Sequence, residues 1–165
     1  WVPARVAPID FTVSHRFAAP PEAVWEEMTD WPSHGRWIPA TRIEVDSEGS
    51  RVEGATFTGY TGLGRLALVD RMRISTIDWD PAARRGTCEV EKLGPVLQGA
   101  AGFVVAADGD GSTVDWFERV TVPYLPRLLA PVVNRLSALG FAYGMRRLAK
   151  LVEPGRPVDR RRVNG

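Results

Sequence analysis

The fold of this chain is decided by residues 97–122, which have the sequence LQGAAGFVVAADGDGSTVDWFERVTV. The central Asp108-Gly109-Asp110-Gly111 is a strong signal for a hairpin turn. Beyond the turn, apolar side chains at positions 114, 116, 120 and 122 alternate with polar ones, which is typical of a strand with one buried face. The stretch therefore predicts two antiparallel strands, 97–107 and 112–122.

Five further strands are predicted upstream of this hairpin. Their ranges are 9–17, 41–46, 54–60, 65–78 and 85–92. Between the first two, Pro20-Pro21 ends a strand and suits a helix start, so a short helix is expected at 21–29. A turn or second short helix is expected at 31–39. The segment Gly59–Gly64 is predicted to be a hairpin turn, because it lacks the Lys-Ser/Thr and the helix that follow a phosphate-binding loop.

A long helix is predicted at 125–152, with Pro131 expected to kink or delay its start. An apolar arc at helical spacing is expected to cover the sheet. It comprises Leu128, Leu129, Val132, Val133, Leu136, Leu139, Gly140 and Tyr143. Since the stripe moves round the helix after Gly144, a bend is expected between Gly140 and Gly144. The basic tail, 154–165, is expected to be flexible.

This order of elements predicts an α+β protein. Consecutive strands form an antiparallel sheet with one face that needs a cover, and the long helix is the available cover. A curved sheet closed by a helix with two glycines leaves space, so we expect a cavity between them.

Composition excludes several classes of protein. The 165 residues include 21 basic and 20 acidic ones, a balance that gives no support to nucleic-acid binding. One cysteine excludes an intramolecular disulfide and a multi-cysteine zinc site, and two histidines argue against a His-rich metal site. No metal and no cofactor is expected. No apolar run is long enough for stable membrane insertion and no leader segment is visible, so a cytoplasmic location is expected.

Several patterns resemble the START-like helix-grip superfamily (SRPBCC), in its branch of polyketide cyclases/dehydrases and lipid-transport-like proteins. The matching stretches are Ala18–Trp25, Asp30-Trp31, Trp37-Ile38-Pro39, Gly59–Gly64, Gly99–Phe103, Trp116-Phe117-Glu118 and Leu148–Leu151. The resemblance covers one domain, residues 8–153. It implies a curved seven-stranded antiparallel sheet, in the order 2-1-7-6-5-4-3, wrapped around the long C-terminal helix, with two short helices after strand 1.

The resemblance also implies a small hydrophobic or amphipathic ligand, such as a lipid or a polyketide-like compound, in an internal cavity. The alternative is a polyketide aromatase/cyclase or dehydratase that acts in the same cavity. The residues expected to contact the ligand are Trp37, Tyr60, Met72, Phe103, Trp116, Glu118, Leu136 and Tyr143. For the enzyme, the catalytic candidates are Glu118, His15 and Tyr143. A third possibility is a partner-binding module, including a homodimer, that uses the face from Leu128 to Leu139.

Strand parity places four polar or reactive side chains on apolar faces: His15, Asp70, Cys88 and Glu118. The two acids either contact a polar group of a ligand, pair with an arginine such as Arg147, or lie past a bulge and face water. They are not expected to form a catalytic pair, because three strand spacings of about 4.8 Å separate them. His15 and Cys88 are expected to be wall or core residues, and His34 is expected to be exposed.

Overall fold

Alternating side chains produce one antiparallel sheet in the structure, a computed structural model that describes residues 7–45, 51–62, 68–95, 97–122 and 125–153. Within these ranges the strands are β1 (Ala7–Phe17), β2 (Thr41–Val45), β3 (Thr56–Thr61), β4 (Leu68–Asp80), β5 (Arg85–Leu93), β6 (Gln98–Asp108) and β7 (Gly111–Val122). The helices are α1 (Pro21–Thr29) and α2 (Ala130–Val152), with 3-10 helices at Trp31–Arg36 and Arg127–Leu129. Predictions for the tail 154–165 and for residues 63–67 lie outside the described residues.

The sheet has the order β1-β7-β6-β5-β4-β3-β2. The order implied by the resemblance, with the second strand beside the first, is therefore wrong. Consecutive strands β2 and β3 pair as a hairpin, with Thr41 opposite Thr61. Strand β1 instead pairs with β7 along its whole length, from Ala7 opposite Val122 to Phe17 opposite Ser112. Helix α1 and the 3-10 helix thus connect the two outer strands of the sheet.

The predicted hairpin at 108–111 is confirmed, since β6 and β7 pair antiparallel from Asp108 opposite Gly111. Strand β4 contains a bulge between Ile74 and Thr76, where one extra residue interrupts the pairing with β5. Because a bulge shifts the alternation, the face shared by Leu68, Asp70, Met72 and Ile74 does not continue into the end of β4.

Aromatic rings connect the sheet to the helices. Phe103 stacks on Trp116 with ring centroids 5.6 Å apart, and Trp116 stacks on Phe141 of α2 at 4.9 Å. On the other side, Trp31 stacks on Phe57 at 4.7 Å. Such contacts add to the hydrophobic stabilisation of the buried rings. The backbone N–H of Asp10 donates to Asn134 Oδ1 at 3.0 Å, which joins α2 to β1. The long helix gripped by the curved sheet is the helix-grip fold.

The orientation predicted for the long helix is wrong in its first half. Gly144, Met145 and Leu148 are the buried residues of α2, whereas much of the predicted arc is exposed. Its exposed members are Leu128, Leu129, Val132, Leu136, Leu139 and Tyr143. A Cβ at Gly144 would lie 3.1 Å from the backbone oxygen of Trp37, so this glycine allows a close approach to the 3-10 region. Helix α2 is continuous across both glycines.

Candidate functional site

A pocket of about 450 Å³ lies between the inner face of the sheet and α2. Most of its wall is apolar. The apolar wall residues include Phe11, Phe57, Met72, Val90, Ala101, Phe103, Trp116 and Phe141. The wall also includes strand-end residues from one end of the sheet, among them Thr41, Thr61, Leu68 and Val122. The pocket therefore reaches that end of the sheet.

Three ionisable side chains on the sheet also line the pocket: Asp70 of β4, Lys92 of β5 and Glu118 of β7. Lys92 Nζ donates to Asp70 Oδ2, and the two side chains are only 5% and 12% exposed. Lys92 Nζ also lies 3.2 Å from the sulfur of Met72. The other carboxylate oxygen of Asp70, Oδ1, is buried without a hydrogen-bond partner in the described part of the chain.

The sheet order places Lys92 on the strand next to Asp70, whereas β6 separates Glu118 from Lys92. Lys92 lies opposite Met72 on β4 and Gly99 on β6, while Glu118 lies opposite Ala101 on β6. The small residues on β6 leave space beside both polar groups. Gly99 has a φ of +132°, and a Cβ there would lie 2.1 Å from the backbone oxygen of Arg119, so a side chain at this position is excluded.

Glu118 is a buried carboxyl group whose pKa is shifted by its surroundings. Burial raises the pKa of its carboxyl group; the Lys92 ammonium opposes this shift and the Asp70 carboxylate adds to it. Glu118 forms no ion pair within 4.0 Å in the residues described. A carboxyl group whose pKa is raised in this way donates a hydrogen bond when protonated, whereas a carboxylate only accepts.

Alternation along the strands predicts Asp70 and Glu118 on the inner face, but Lys92 was not among the predicted site residues. Arg147, the partner expected for the acids, pairs with neither of them within 4.0 Å in the described residues. The signal for Lys92 was available, because Cys88, Val90 and Lys92 alternate on one face of β5 and all three are buried. Lysine is rarely fully buried unless it is paired, so its position on an apolar face indicates a partner nearby.

His34 is buried, and the prediction that it is exposed is wrong. Its ring lies between Trp31 and Trp37, with centroids 5.1 and 4.9 Å away, and it borders the pocket. Its Nε2–H donates to the backbone oxygen of Met28 at 2.7 Å. Burial lowers the pKa of His34 to about 4, although the Met28 carbonyl and Asp30 oppose the shift. The imidazole is therefore neutral at physiological pH.

The eight residues expected to contact a ligand fall into two groups. Met72, Phe103, Trp116 and Glu118 border the pocket. The other four do not form part of its wall. Trp37 is fully buried against the ring of Trp116, and Tyr60 lies under the guanidinium of Arg42. Leu136 and Tyr143 are 63% and 53% exposed, because the opposite side of α2 faces the sheet.

The two remaining candidates are His15 and Cys88. His15 is half-buried beside Phe17, and burial lowers its pKa while Glu153 opposes this. It is not part of the pocket wall. Cys88 borders the pocket as a buried thiol, and burial raises its pKa to about 12, so it is not a nucleophilic thiolate at neutral pH.

No group of three or more His, Cys, Asp or Glu side chains in the described ranges is arranged to hold a metal ion. In the same ranges, α2 and the shorter helices lack the combination of length and apolar character that a transmembrane helix requires.

Solved structures share this fold at low sequence identity. A protein from Thermus thermophilus has a TM-score of 0.67 and 16% identity, covering 86% of this chain and 94% of its own. A START superfamily protein from Mycobacterium smegmatis has a TM-score of 0.64 and 14% identity, covering 87% and 97%. The Zhui aromatase/cyclase from Streptomyces sp. R1128 has a TM-score of 0.59 and 16% identity, covering 89% and 93%.

A comparison with curated protein sequences finds no match. The sequence pattern of one family, described as polyketide cyclase / dehydrase and lipid transport, matches residues 8–153. This range includes every described strand but the first residue of β1, together with the whole of α2. The chain therefore belongs to the polyketide cyclase/dehydrase and lipid transport family.

Proposed function

We propose that this protein binds one small hydrophobic or amphipathic molecule, such as a lipid or a polyketide-like compound, in the pocket between the sheet and α2. The observation that carries the proposal is an apolar pocket of about 450 Å³ whose wall contains a buried polar cluster on one side. Ligand pockets of this kind measure roughly 300–1,000 Å³ and combine an apolar wall with a few polar groups.

The polar cluster supports a ligand with one uncharged polar group. Lys92 and Asp70 largely neutralise each other, and the raised pKa of Glu118 favours its neutral form. A ligand hydroxyl or carbonyl would accept a hydrogen bond from the Glu118 carboxyl, and a hydroxyl could instead donate to the unpaired Asp70 Oδ1. Apolar surface would supply the affinity, at about 25 cal/mol per Å² buried.

Native mass spectrometry of the purified chain tests the proposal directly. We expect a population of heavier ions that loses its extra mass on denaturation, and an extracted compound with an apolar body and a hydroxyl or carbonyl group. An apo mass alone, together with no saturable binding of a fatty alcohol or an environment-sensitive apolar dye, would contradict it.

A second function, an aromatase/cyclase or dehydratase acting in the same pocket, is favoured by one observation. Glu118 is a buried carboxyl group with a raised pKa at the wall of the pocket, and a raised pKa is what a carboxylic acid needs to act as a general acid near neutral pH. It would donate its proton to a carbonyl or hydroxyl oxygen of a bound poly-β-ketone. Of the three catalytic candidates it is the one that borders the pocket.

The test of this second function is turnover of a poly-β-ketone substrate by three variants. We expect Glu118→Gln to abolish turnover while leaving substrate binding within a few fold. The matched controls are His15→Ala and Tyr143→Phe, which change residues outside the pocket wall and should keep wild-type turnover. Full activity of Glu118→Gln would exclude Glu118 as the acid.

A further inference from the structure

The exposed side of α2 is unusually apolar for a surface helix. Its N-terminal half, with the preceding 3-10 helix, exposes six large side chains, which we name the outer face: Leu128, Leu129, Val132, Leu136, Leu139 and Tyr143. Within α2 they are spaced at i, i+4, i+7 and i+11, so they form one stripe directed away from the sheet. Contiguous exposed apolar patches mark surfaces that contact a partner or a membrane.

The charged side chains of α2 and of the 3-10 helix before it all have one sign. Residues 125–152 contain five of the chain's 21 basic residues and none of its 20 acidic ones. Arg135, Arg146 and Lys150 are exposed on α2, the last two one helical repeat beyond Leu139 and Tyr143. The stripe therefore continues from an apolar half into a cationic half, while the rest of the chain is net acidic.

We propose that the outer face docks on the surface of a membrane that contains anionic lipids. Apolar side chains with an aromatic ring enter the boundary between headgroups and acyl chains, and the flanking cations attract the lipid headgroups. A second copy of the chain fits less well, because an interface between two outer faces would enclose or border the exposed cations Arg135, Arg146 and Lys150 of both copies, and neither α2 carries an acid to neutralise them.

The outer face lies on the same helix as part of the pocket wall. Val133, Ser137 and Phe141, on the adjacent side of the same helix, border the pocket. The pocket also reaches the end of the sheet at which β7 ends, and only a few residues connect Val122 to α2. A protein docked through this face would hold its pocket close to the lipid surface. The surface itself stands on exposure and charge, so it does not depend on the proposed ligand.

Co-sedimentation of the full chain with large vesicles tests the proposal. The vesicles contain phosphatidylcholine alone, or phosphatidylcholine and phosphatidylglycerol at about three to one. We expect binding to the anionic vesicles at least tenfold stronger than to the neutral ones, and weakening as salt is added. Binding that is equal on both, or absent from both, would overturn the proposal.

Matched variants locate the surface. Leu136→Ser with Leu139→Ser should reduce binding to anionic vesicles at least tenfold, while Val52→Ser, at another exposed apolar position, should leave it unchanged. Arg135→Gln should weaken binding severalfold and Arg71→Gln, on the solvent face of β4, should not. A thermal melt confirms that each variant is folded.

Sedimentation velocity without lipid tests the alternative that a second copy of the chain binds the outer face. A concentration-dependent dimer that the Leu136→Ser, Leu139→Ser variant dissolves would assign the outer face to a second copy and overturn the lipid proposal. A monomer across the concentration range, with vesicle binding retained, supports it.

Discussion

Lys92 and Asp70 form a buried ion pair on adjacent strands at the wall of the pocket. Taking two charges out of water is costly, and the attraction between them offsets this cost only while both are present. The pair therefore makes the pocket wall sensitive to the loss of either member. The two charges also act on Glu118 in opposite directions: the Lys92 ammonium lowers its pKa and the Asp70 carboxylate raises it, while desolvation remains the largest effect.

Lys92→Met should destabilise the fold by about 3 kcal/mol or more, because it leaves the Asp70 carboxylate buried without a counter-ion. The double variant Lys92→Met, Asp70→Leu should recover most of this loss. The control is Arg73→Met, which removes a half-exposed pair with Glu91 (2.6 Å) on the same two strands and should cost less than about 1 kcal/mol. Urea unfolding measures all three, and a double variant no more stable than Lys92→Met would contradict the argument.

Glu118→Gln should be more stable than the wild type at neutral pH. The folded-state pKa of Glu118 is raised above its ordinary value, so the folded state holds the proton more tightly, and stability is lost as pH rises from the ordinary pKa through the raised one. The neutral glutamine removes this loss. Thermal melts across pH should show the two proteins converging in acid and diverging towards neutrality. Glu118→Gln melting below the wild type at neutral pH would show that the carboxylate is stabilised.

His34 should make the protein less stable in mild acid. Its folded-state pKa is about 4, against 6.5 when unfolded, so the unfolded chain takes up the proton first as pH falls. Protonation of His34 in the unfolded chain should lower the free energy of unfolding by about 2 kcal/mol at pH 5 relative to neutral pH. Urea unfolding of His34→Gln, which can still donate to the Met28 carbonyl, should show a flatter dependence. An identical pH dependence in both proteins would exclude His34 as the source.

Ala101→Leu should reduce ligand binding at least tenfold without unfolding the protein. Ala101 borders the pocket and lies opposite Glu118 and Val90, so a larger side chain extends into the space proposed for the ligand. The matched control is Ala100→Leu, whose neighbours Arg119 and Glu91 lie on the solvent face of the sheet. Native mass spectrometry compares the bound fractions. Equal occupancy in wild type and Ala101→Leu would place the ligand elsewhere.

Local patterns predicted much of this fold from the sequence. Alternation and turn residues located all seven strands to within a few residues, and α1 has the predicted bounds. The position of β2 in the sheet could not be predicted from local patterns. It depends on whether β2 pairs with β3, as a hairpin, or with β1, which is distant along the chain. The same limit explains why the ion pair of Lys92 was not predicted. Alternation along β5 indicates that Lys92 is buried, but its partner Asp70 lies on another strand, 22 residues away in the sequence.

The orientation of α2 was the largest error, and its cause is physical. Both sides of the helix carry apolar residues at helical spacing, so periodicity alone does not select the side that packs. The sheet selects the side bearing Phe141, Met145 and Leu148, because there Phe141 stacks on Trp116 and Gly144 allows close approach to Trp37. His34 was misplaced for a related reason, since its burial depends on the two flanking tryptophans closing around it.

Two leucines on α2 provide a direct test of this orientation. Leu148 is fully buried, so Leu148→Ala should destabilise the fold by about 2–5 kcal/mol through lost burial and the cavity left behind. Leu136 is mostly exposed, and Leu136→Ala should change stability by no more than about 0.5 kcal/mol. Both substitutions involve the same change in helix propensity and delete the same atoms, so the difference between their urea midpoints reports burial alone. Equal and large losses would mean that the outer face is covered in solution, and the vesicle and sedimentation experiments would then identify what covers it.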